Sequence, residues 1–186
     1  MKEIINEWRR FVKEEKSLKK FAADAMKDPN HGEQFTKGME AATEKREGVY
    51  IVINAFIENS HEVNNIFQES LEYMAEHNFE TTKLYRLSTG YTKEDHEKVD
   101  KFWNFAKRIV KAIGKKIKEE TDKGMSAADI TKEFGISTNF RGFINDFEND
   151  AKRTTYAYSS DPQSVYYVAQ FLDSVGHQDR KSTRLN

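Results

Sequence analysis

A chain of 186 residues has room for a real core, and 37% hydrophobic against 33% charged residues favours helices with wide solvated faces over a dense sheet. The formal net charge of −1 gives no global field that would mark a nucleic-acid or membrane binder, and the lack of cysteine excludes disulfides and thiolate chemistry. No apolar run approaches the roughly 20 residues of a bilayer span, and the N-terminus has no signal-peptide core, so a soluble intracellular protein with no membrane partner is expected. Thirteen Phe and eight Tyr argue against disorder.

Ile4, Ile5, Trp8, Phe11 and Val12 open the chain with an apolar stripe at helical spacing, continued by Leu18, Phe21, Ala22 and Ala25 to about Met26. This opening, MKEIINEWRRFVKEE, resembles that of many proteins of large tailed phages and marine metagenomes, which implies a location in the host cytoplasm or on a virion. By its residues it is a helix that docks on the body of the protein. The cluster Asp28-Pro29-Asn30-His31-Gly32 reads as a turn that ends it, and residues 33–47 are polar and weakly helical. The run VYIVINAFI, Val49 to Ile57, suits a buried strand or a buried helix. Its pattern continues through Val63, Ile66, Phe67, Leu71 and Met74 after a break at Asn59-Ser60, which favours helix, with Ser60 as N-cap. The run TTKLYRLS then changes character. Thr82, Leu84 and Tyr85 predict a short strand near 82–88 that contains Arg86, an arginine suited to pairing with a carboxylate.

The longest regular element is a helix over 92–123. Thr92 and Asp95 form a capping-box pair, and Val99, Phe102, Trp103, Ala106, Ile109, Val110, Ile113 and Ile117 make its stripe. Seven basic and no acidic residues lie between Lys101 and Lys118. With Glu94, Asp95, Glu97 and Asp100 at the start, this order suits the helix dipole better than a phosphate-binding face, so nucleic acid is not the expected partner. Gly124 ends the helix and Ser126, with Asp129, starts another. The stretch SAADITKEFGISTNFRGFI resembles a helix-turn-helix at Ile130, Phe134, Gly135, Ile136 and Ile144. It departs from that pattern at Thr131, where a small residue is usual, and at Arg141, where an apolar one should pack. A generic helix-glycine-helix corner is the better reading.

Arg153 to Leu172, RTTYAYSSDPQSVYYVAQFL, reads as a second short strand near 153–159, a polar turn, and a helix with Pro162 at its first position. Val165, Val168, Ala169 and Leu172 form the inner face of that helix. The last eight residues, DRKSTRLN, match the in-frame translation of a common sequencing adapter. The expectation is therefore a single, truncated domain over 1–178, with 179–186 not native. The predicted fold class is α+β, predominantly helical: a helical N-terminal half, strands near 82–88 and 153–159, and the long helix 92–123.

No phosphate loop, HExxH or nucleophile elbow is present, and the five histidines lack metal-ligand spacing. One combination carries a functional reading. Arg86 in KLYRLS, followed by YAYSSDPQSVYYVA, resembles two of the three motifs of ADP-ribosyltransferases of the arginine-serine-glutamate type. The resemblance implies NAD as cofactor and a protein as acceptor, with Arg86, Tyr158, Ser159 and Ser160 at the NAD site. It also implies glutamates, past the end of this chain, that stabilise the positive charge growing on the ribose. Leu87 stands for the usual glycine and Ala157 for the first serine of the family's pattern. The alternatives are a non-catalytic helical phage structural or interaction protein and, third, a helix-turn-helix DNA-binding protein.

Overall fold

The computed structural model describes residues 29–77, 92–153 and 163–183. Six helices occur among them: α1 Pro29–Asn59, α2 His61–Glu76, α3 Lys93–Asp122, α4 Ala127–Glu133, α5 Arg141–Arg153 and α6 Gln163–Thr183, with a 3-10 turn Thr138–Phe140 leading into α5. The fold is all-α, which corrects the α+β expectation: no strand occurs among the described residues. Of the two strand stretches, only Arg153 is described, and it closes the last turn of α5 beside Lys152. Two cations there complement the negative end of the helix dipole, and Phe147 and Asp150 bury the helix's inner face, so α5 propagates to Arg153. The turn expected at 28–32 is also corrected, since α1 already begins at Pro29. A proline costs nothing in the first turn, where its missing N–H would have no intrahelical partner.

The chain divides into two units, residues 1–47 and 48–186. In the first, the described part is the start of α1, where Lys37, Glu40, Ala41 and the run Glu44 to Glu47 are exposed.

In the second unit α3 is the hub, touched by α2, α4, α5 and α6. Its sequence explains this. A surface helix needs one apolar stripe, but α3 buries Ile109, Val110, Ala112, Ile113 and Gly114 in little more than one turn, so its middle is covered on most sides. The capping box expected at Thr92 forms, with the Asp95 amide donating to Thr92 Oγ1 at 3.1 Å and the Thr92 amide donating to Asp95 Oδ2 at 3.0 Å. Ser126 and Asp129 repeat the device at α4, at 3.2 and 2.8 Å. Ser60 caps α2 as expected by accepting from the Val63 amide at 3.3 Å.

The remaining helices supply aromatic side chains to the same core. From α1, Phe56 meets Phe134 edge-on at 5.1 Å, and Tyr50 meets Phe171 of α6 at 5.3 Å. Phe56, Phe102 and Phe147 are fully buried, each contributing roughly 1.5–3 kcal/mol of transfer free energy. The inner face expected for α6 is realised, with Val165, Val168, Ala169 and Leu172 all buried.

Candidate functional site

The residues proposed for NAD binding, Arg86, Tyr158, Ser159 and Ser160, lie outside the described residues. What frames the second of those stretches is described. Asp150 on α5 is 5% exposed, and its Oδ2 accepts from the backbone amide of Ser164 at 2.7 Å. Ser164 sits in the first turn of α6, where amides lack intrahelical partners, so a side chain fourteen residues upstream acts as the cap. Arg153 flanks the same carboxylate at 3.9 Å.

The helix-glycine-helix corner folds as its apolar positions require. Ile130, Phe134, Ile136 and Ile144 are buried around Gly135, whose φ of +67° is the left-handed conformation that turns the chain. Thr131, one of the two departures, is also buried, with its hydroxyl donating to the Ala128 carbonyl at 2.7 Å. Arg141, the other, points to solvent. The outer face of α5 carries Arg141, Asn145, Asp146, Asn149 and Lys152, so its charges are mixed. Four of the seven cations in the basic run of α3 pair with acids: Lys115 with Glu62, Arg108 with Glu69, Lys116 with Glu120 and Lys118 with Asp122. A duplex would meet more than half of that positive charge already paired with acids.

Among the described residues, a concave surface that carries polar groups from two elements lies between α2 and α3. The helices run antiparallel, with Glu62 opposite Lys115 (2.6 Å), Glu69 opposite Arg108 (2.8 Å) and Tyr73 against Phe105 (ring centroids 5.6 Å). The two ion pairs therefore stand one heptad apart on each helix, about 10 Å along the axis. Between them the cleft is lined by His61, Asn65, Ile66, Lys111 and Ala112. Ile66 and Ala112 form an apolar floor, 8% and 4% exposed. The Asn65 amide nitrogen lies 2.8 Å from His61 Nδ1, and as donor it leaves the ring proton on Nε2. The hydrogen bond from Lys115 to Glu62, reinforced by the opposite charge, holds the Lys115 ammonium above its ordinary pKa. Lys111 has no ion-pair or hydrogen-bond partner among the described residues.

This cleft was missed by reasoning along the sequence, although a signal existed. Glu62 and Glu69 on one amphipathic helix and Arg108 and Lys115 on another are each seven residues apart, the spacing that lets two helices pair their charges twice.

A second charged cluster caps the other end of α3. Glu120, 5% exposed, accepts from Lys116 at 2.6 Å and from Lys123 at 3.1 Å. Those hydrogen bonds, Lys116 first, hold its carboxyl below the usual carboxylate range. No group of three or more His, Asp or Glu that could hold a metal ion occurs among the described residues, and no described helix is long and apolar enough to cross a membrane. Comparisons with protein-family models, curated proteins and solved structures gave no match to the chain.

Proposed function

We infer that the chain is a non-catalytic helical interaction protein, whose folded unit presents a surface to a protein partner. The observation that carries this reading is that the carboxylates at the helix contacts are paired with donors of the chain itself. Glu62 and Glu69 tie α2 to α3, Asp150 caps α6, and Glu120 is held between two lysines of its own segment. Catalytic sites aim fixed charge at charge that develops on a substrate. Here the carboxylates at the helix contacts already meet donors from the chain itself, which suits a scaffold. The transferase reading, in turn, implied a mixed fold with strands, and the described residues form an all-helical one.

The test uses the full chain expressed with an affinity tag, beside Arg86→Ala. Purified protein is incubated with labelled NAD, and its elution on size exclusion is followed with and without co-purifying protein. The expected result is no nicotinamide release above a no-protein control, together with a partner retained at fixed stoichiometry. NAD consumption that disappears in Arg86→Ala overturns the reading.

A further inference from the structure

We draw no further inference here: the strongest candidate, the exposed outer face of α5 beyond the Gly135 corner, sets Arg141, Asn145 and Asn149 beside Asp146 as a solvated surface of mixed charge, and nothing in the structure shows what covers it.

Discussion

Asp150 is a side chain whose loss is felt by an element other than its own. Its carboxylate is buried and satisfies an amide at the start of α6. Asp150→Ala leaves the Ser164 N–H buried without an acceptor, at a cost of about 1–3 kcal/mol, whereas Asp150→Asn keeps an acceptor oxygen and loses less than half of that. Urea midpoints of the two variants check this, and equal losses would show that the charge, not the hydrogen bond, matters. Glu120 makes a prediction in pH. Its folded pKa is depressed by Lys116 and Lys123, so its contribution is complete above the unfolded value of about 4.3 and disappears as pH falls through the folded value. Thermal melts should show Glu120→Gln below the wild type at pH 7, with the gap closing as the pH is lowered under about 4. A gap that persists at acid pH would mean that Glu120 acts by packing.

At the scale of elements, two glycines in helices predict opposite outcomes. A Cβ on Gly114 of α3 would stand 2.1 Å from the Ala151 Cβ on α5, so Gly114→Ala must push the two helices apart. The expected loss is about 1–3 kcal/mol. A Cβ on Gly142 of α5 meets nothing within 4 Å, so Gly142→Ala should gain about 0.5–1 kcal/mol from helix propensity and the unfolded chain. Guanidinium unfolding of the pair decides both. The elements themselves were largely legible in the sequence where the signal is local. Thr92 with Asp95, Ser126 with Asp129, and Ser60 before Val63 are start signals within four residues, and each forms. The apolar run from Val49 resolved correctly because the same stripe resumed after the break. What misled was propensity without context. Proline in the cluster at 28–32 reads as a stop, yet it also suits a first helical turn, where α1 begins. Aromatic and β-branched residues after Arg153 favoured a strand, and nothing local revealed that α5 would hold Arg153 in its last turn. The cleft was hidden for a different reason: Glu62 and Lys115 are 53 residues apart, and no short window contains both halves of the pairing.

For the molecule, the position of α3 has a further consequence. The helices α2, α5 and α6 share extensive boundaries with it, α4 touches it, and α1 reaches the same core through Phe56. Removing any neighbour bares part of a helix whose middle turns are apolar on most sides. Partly opened forms therefore expose surface they cannot hide elsewhere, and they lie close in free energy to the fully unfolded chain. The transition between folded and unfolded unit is accordingly expected to be all-or-none, with coincident urea transitions by fluorescence and circular dichroism. Damage at Asp150, Glu120 or Gly114 lowers one shared barrier to collapse of the whole unit and does not loosen a single corner of it.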